Sequence, residues 1–276
     1  MKKISSFDIN VYLPFTKSTI QTQLTYKLAF ISWIFSNFLQ ISIAYYLWKS
    51  IFDSSEQGLI SGFTFLDMQT YIVMGFITRI LISGQVEWIL AEEIGDGSIA
   101  VMLLKPINYF LRLIFESLGS FLILLIAVAI PAWSFLVIFN RFVYDIPFPN
   151  ISYILLFMLS VLLSCAISFL INFCIGLTTF FITYIWGVLL CKESIFMLLS
   201  GSLVPITMFP EFWQNILTYL PFASLNFIPV MIYMQKFGYS QIFYYLSIQI
   251  FWVVALTILV SFLWKLAIKK LSVAGG

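Results

Sequence analysis

The sequence predicts an all-α polytopic membrane protein with six transmembrane helices, a helical cytosolic segment between the second and third, and a pair of short helices on the outer side before the sixth. Three observations predict it. Of 276 residues, 62% are hydrophobic and only 9% are charged, with a mean hydropathy of +1.03. A soluble domain carries about a quarter charged residues, and so few charges cannot cover a soluble surface of this size. The apolar residues gather in six runs near the ~20-residue length that carries a helix across the hydrocarbon core. The cations fall mostly on one side of those runs.

Residues 1–27 read as a cytosolic arm. They are polar, carry Lys2, Lys3, Lys17 and Lys27, and hold no short apolar core before a small-residue cleavage site, which sets them apart from a secretory signal. Met1–Thr25 is either an amphipathic helix on the membrane surface or a disordered tail. The membrane part, 28–276, follows. Its first run spans Leu28–Phe52, its second Met68–Leu90 and its third Gly119–Phe139. The fourth starts at Ile151 and stays apolar well beyond Cys174. The fifth spans Trp186–Met208, interrupted by Lys192 and Glu193, and the last spans Tyr244–Leu266. Residues 151–190 contain no charge, so the boundary between the fourth and fifth runs has no local marker.

An even number of spans puts both termini on one side. That side holds Lys2, Lys3, Lys17, Lys27, Lys105, Arg112, Lys192, Lys265, Lys269 and Lys270, and the other holds Arg141 and Lys236. This excess places both termini in the cytosol. The first outer loop, with Asp53, Glu56 and Asp67 and no cation, agrees.

Two segments are more than loops. The cytosolic one, residues 91–118, begins with Glu92 and Glu93, turns at Gly95-Asp96-Gly97 and continues as a short apolar helix with Ser98 at its N-cap and Pro106 breaking it. Beyond Pro106, apolar residues recur at 107, 110, 111, 114, 115 and 118, a helical register with Asn108, Arg112 and Glu116 on the opposite face. Such a helix either lies along the inner membrane surface or forms the first turns of the third span. The outer segment, residues 201–238, carries Pro205, Pro210, Pro221 and Pro229. Glu211–Leu220 is short and amphipathic, and Phe222–Tyr233 is apolar but too short to cross. It reads as two helical pieces dipping part-way into the outer leaflet, which requires packing against protein or a cavity, or else as an interfacial loop with aromatic anchors.

Several chemistries are excluded. The chain has no histidine, so histidine-dependent hydrolysis and proton relays are out. No glycine precedes a lysine, so it has no phosphate-binding loop of the Gly-Lys type. Cys165, Cys174 and Cys191 lie in apolar runs without metal spacing and read as buried free thiols. A net charge of +2 gives no footprint for nucleic acid. Gly58 and Gly62 have a helix-packing spacing but sit in an outer loop, and no internal repeat is visible. Arg79 lies near the middle of the second span, where insertion costs roughly 2.5–3.5 kcal/mol, so it lines an interior or subunit interface or pairs with a buried acid. Glu87 is about 12 Å further along the axis and rotated by about 80°; the two do not pair, and Glu87 lies close enough to the inner surface to be solvated, though both count as intramembrane polar candidates for a pathway or an interface. The 30 Phe, 14 Tyr and 8 Trp suit lipid contact and interfacial belts, or an aromatic passage for an amphipathic or cationic solute.

The run Glu92-Glu93-Ile94-Gly95-Asp96-Gly97-Ser98-Ile99-Ala100-Val101-Met102-Leu103-Leu104-Lys105-Pro106 resembles the first cytosolic loop of bacterial type-2 ABC exporter permeases. Leu199–Trp213 followed by Leu220-Pro221-Phe222 resembles that family's segment before its last span. The resemblance covers the whole chain in span order. The chain departs from it at Thr178–Gly187, which is uncharged where this branch often carries charge. The resemblance implies a permease subunit in a bacterial plasma membrane, forming half of a translocation pathway with a second, identical or related, permease chain. The chain itself would hold no cofactor; ATP and Mg would sit on a separate pair of ATPase subunits. Residues 92–106 would act as a coupling helix, with Ile99, Met102 and Leu103 as its apolar contact and Glu92, Glu93, Asp96 and Lys105 as its polar contacts. Two other classes fit less of the sequence. A stand-alone secondary transporter needs a relay of intramembrane titratable groups, and a membrane enzyme or assembly factor needs a catalytic cluster beyond Glu92, Glu93 and Asp96.

Overall fold

The computed structural model describes residues 8–55, 58–182 and 185–274. Among them the chain forms α1 (Ile9–Thr25), α2 (Lys27–Asp53), a hairpin of β1 (Leu59–Ile60) and β2 (Phe63–Thr64), α3 (Phe65–Ile82), α4 (Val86–Gly95), α5 (Ser98–Leu104), α6 (Tyr109–Leu124), α7 (Ile130–Tyr144), α8 (Ile151–Leu177), α9 (Trp186–Leu199), α10 (Glu211–Tyr219), α11 (Phe227–Tyr233) and α12 (Tyr239–Ala274). The hairpin is the one departure from an all-α fold among these residues. Ser61 and Gly62 both take positive φ, the two-residue turn that matches strand twist, so the glycine at 62 serves a turn and not helix packing.

Five helical stretches are long and apolar enough to cross a bilayer: Lys27–Asp53, Phe65–Gly95, Tyr109–Tyr144, Ile151–Phe180 and Tyr239–Lys269. They correspond to the first, second, third, fourth and sixth apolar runs. The fifth run does not form one long helix. α9 has 14 residues, a rise of about 21 Å. Gly201, at φ +76°, ends it in a conformation that favours glycine, and Pro205 and Pro210 keep the following residues from resuming it.

The third stretch answers the question left open for residues 107–118. Asn108 Oδ1 accepts the Leu111 N–H at 3.1 Å and starts α6. α6 then runs through a π-helical turn, Leu125–Ala129, into α7 without a break. The widened turn falls just before Pro131, whose ring cannot donate the next helical bond. Residues 109–118 are therefore the first turns of a long helix.

α1 is a helix docked on α6, not a loose tail. The Tyr12 ring stacks on Phe115 at 5.4 Å, Thr16 Oγ1 donates to the Phe115 carbonyl at 2.7 Å, and Gln23 Nε2 donates to Ser120 Oγ at 3.1 Å. The crossing point is Gly119, where a Cβ would lie 2.7 Å from the Thr16 carbonyl oxygen. We expect Gly119→Val to push α1 off α6 at a cost of about 1–3 kcal/mol. Limited proteolysis would then cut within residues 9–25 of the variant at a rate at which the parent stays intact.

α8 is the central helix, packed against α3, α4, α11 and α12. Its buried face carries Ser160, Ser164, Ser168 and Asn172 at four-residue spacing, the small polar stripe that lets helices approach closely in a membrane. Ser160 Oγ donates to Gln249 Oε1 at 3.0 Å, Gln249 Nε2 donates to Ser164 Oγ at 3.2 Å and to the Ser224 carbonyl at 3.1 Å, and Ser164 Oγ also reaches that carbonyl. These bonds fix the turn between α10 and α11 against the middles of α8 and α12. Lys236 Nζ, 2.9 Å from Asp67, ties the end of that segment to the start of α3.

Candidate functional site

Residues 91–106 form a corner between α4 and α6. Gly97, at φ +79°, makes the turn between α4 and α5. Asp96 Oδ1 accepts the Ser98 N–H at 2.8 Å, and this bond holds the Asp96 carboxyl below the usual carboxylate range. Ser98 is thus the first helical residue and not the N-cap expected of it, because the left-handed Gly97 takes the cap position. α5 ends at Leu104 before Pro106, and Lys105 Nζ reaches back to Met102 Sδ at 3.1 Å.

The apolar face expected to meet a partner points the other way. Ile99 is fully buried in the chain's own core, and Met102 and Leu103 pack half-buried against the same cluster. Helical spacing shows that these three share a face, but the interior of this chain takes it. The face left outside carries Ala100, Val101 and Leu104, with Leu104 85% exposed.

Of the expected polar contacts, Glu92 is exposed and Glu93 is not free. Glu93 accepts from Arg112 at 2.5 Å and from the Tyr109 hydroxyl at 2.6 Å, and Arg112 Nε also bonds Glu116 at 2.9 Å. Arg112, placed by its spacing on a polar outer face, is 3% exposed; two carboxylates compensate its burial. The Tyr109 ring stacks on Trp264 of α12 at 5.4 Å, and the Tyr12 hydroxyl of α1 accepts the Asn108 N–H at 2.9 Å. Three elements, α1, α4 and α12, therefore meet on the start of α6.

A second polar centre lies where α3 gives way to α4. The residues between them, Ser83–Gln85, are not helical. Their break is sealed by side chains: Ser83 Oγ donates to the Ile80 carbonyl at 2.6 Å and Ser168 Oγ to the Ile82 carbonyl at 2.9 Å. Two residues on, Glu87 is 2% exposed rather than solvated, with its carboxylate 2.7 Å from Lys192 Nζ. Lys192 also sits 2.9 Å from Glu193 and 3.5 Å from Asn172 Oδ1. Of the two charges that interrupt the fifth apolar run, Lys192 therefore pairs with the second run, and Glu193 flanks Lys192. Lys192 and Asn172 were not among the expected site residues; the signals were a Lys-Glu pair inside an apolar run and the four-residue polar spacing of α8.

Arg79 does not pair with Glu87, as its angular offset requires, nor does it form an ion pair with any described carboxylate. Its Nη2 donates to Gln40 Oε1 at 3.1 Å and Asn37 Oδ1 at 3.4 Å, clamping α2 to α3 through amide oxygens. It borders a cavity of about 260 Å³ with Trp48 and Tyr71. The three cysteines are free, but Cys191 is exposed on α9 and not buried.

A family model described as ABC-2 family transporter protein matches residues 38–275, from within α2 to the end of α12. The chain belongs to the ABC-2 transporter family. It is a multi-pass membrane component of an ABC transporter, and membership implies association with an ABC ATPase. The match leaves out α1 and the arm before it. No curated protein matches the chain.

Proposed function

We propose that this ABC-2 chain is a permease subunit of an ATP-driven exporter, that it forms half of the translocation pathway with a second permease chain, and that α5 couples it to a separate ATPase pair. ATP and Mg sit on that pair. Both termini face the cytosol in this reading, α9 with residues 200–208 makes the fifth crossing, and α10–α11 is re-entrant. One observation carries it: a short helix on a glycine turn leaves its outer apolar face uncovered while Glu93, Arg112 and Glu116 lock its base to α6. A buried, doubly compensated arginine makes the corner a stiff lever, and stiffness is what transmission between subunits requires. Closure of the ATPases presses on Val101 and Leu104. The load passes through Arg112 into α6 and through α4 to the non-helical residues 83–85, which allow α4 to move relative to α3.

Inside-out vesicles that hold the chain with its ATPase test the direction. We expect solute to accumulate inside on ATP addition and not on a proton gradient alone. Uptake driven by the gradient without ATP would mark a secondary transporter and end this reading.

A further inference from the structure

We propose that the cavity at the break in the second span binds an organic monocation with a broad aromatic or apolar body. Its role as cargo site rests on the export reading; the binding itself does not. The cavity measures about 570 Å³, within the range of about 300–1,000 Å³ that holds drug-sized ligands. It lies between the end of α1, the start of α2, the residues 83–85, α6 and α9. Non-helical backbone at membrane depth is tolerated where it lines a cavity or is packed in protein, and Ser83–Gln85 border this one.

The wall chemistry selects the charge. Tyr26, Phe30, Trp33 and Trp88 line it with aromatic rings, and Tyr26, Trp33 and Trp88 are substantially uncovered. Glu87 and Glu193 are the charged residues on the wall, and neither lysine nor arginine borders it. Lys192 bridges both carboxylates and Arg79 acts on Glu193 from a distance, but both cations stand behind the wall, so the charge that the cavity itself presents is carboxylate. The Glu193 side chain is 71% exposed, and only its Oε1 is engaged by Lys192, so it has acceptor sites left for a cation. Glu87 Oε2 is buried without a hydrogen-bond partner and so keeps an acceptor site beside the cavity. The positive end of α4 does not reverse this, because Glu87 already occupies its first turn. Aromatic rings and a carboxylate together attract a cation.

The test uses two probes of one shape and opposite charge, tetraphenylphosphonium and tetraphenylborate, binding to the nucleotide-free full complex in lipid nanodiscs. The phosphonium is expected to bind saturably above empty nanodiscs and the borate not. Glu193→Gln should weaken phosphonium binding about tenfold, and Trp88→Leu about fivefold; both positions are exposed, so both variants should fold. Equal saturable binding of the two ions, no saturable phosphonium binding, or unchanged affinity in both variants would overturn the proposal. Phosphonium binding that the variants weaken, in a complex that shows no ATP-driven transport, would uphold the cation site and sink the export reading. ATP-driven transport of other solutes by a complex that does not bind phosphonium would do the reverse.

Discussion

Lys192→Met is expected to cost about 3–5 kcal/mol of stability, because it strands Glu87 as a buried carboxylate without its cation. The loss has a diagnostic shape. Each single change leaves one charge uncompensated, whereas Glu87→Gln together with Lys192→Met removes both. The double variant should therefore recover most of the lost stability, a coupling that a cycle of the four proteins measures directly. Thermal unfolding of the purified chain in detergent is the readout. A Lys192→Met protein as stable as the parent would show that the pair does not hold α4 to α9.

Leu104→Glu has the opposite signature. The side chain is 85% exposed, and surface changes away from structural features usually move stability by less than about 0.5 kcal/mol. If Leu104 seats in a groove of the ATPase, a buried carboxylate there costs at least about 2 kcal/mol of binding, the size of an interface hot spot. The variant should fold and insert normally yet retain its ATPase at least about tenfold less well on purification. Ile99→Glu is the informative contrast, since Ile99 is fully buried in the chain itself and the variant should fail to fold. Leu104→Glu with its ATPase fully retained would remove α5 from the interface.

The sequence-level reading located elements better than it oriented them. Length and hydropathy gave five of six runs as long helices, and the proline spacing of residues 201–238 gave α10 and α11 within a few residues. The Gly95-Asp96-Gly97 turn was legible because a left-handed residue needs glycine. Which way α5 turns its apolar face was not, because periodicity groups Ile99, Met102 and Leu103 without saying whether the chain or a partner covers them. Arg112 was misplaced for the same reason: helical spacing opposes it to the apolar stripe, but Glu93, 19 residues earlier, draws it inward. Glu87 and Lys192 were read separately, since nothing local ties residues 105 apart in sequence. Arg79 found amides rather than an acid, and the amides of Asn37 and Gln40 do not stand out in an apolar run.

What α5 touches in the working transporter decides whether it couples the two subunits. A photoreactive phenylalanine derivative placed at position 104, in the assembled complex during ATP turnover, reports this by covalent capture. We expect a crosslinked product containing this chain and the ATPase subunit, lost when the ATPase is absent. Capture of lipid alone, unchanged by the ATPase, would contradict the coupling role of α5.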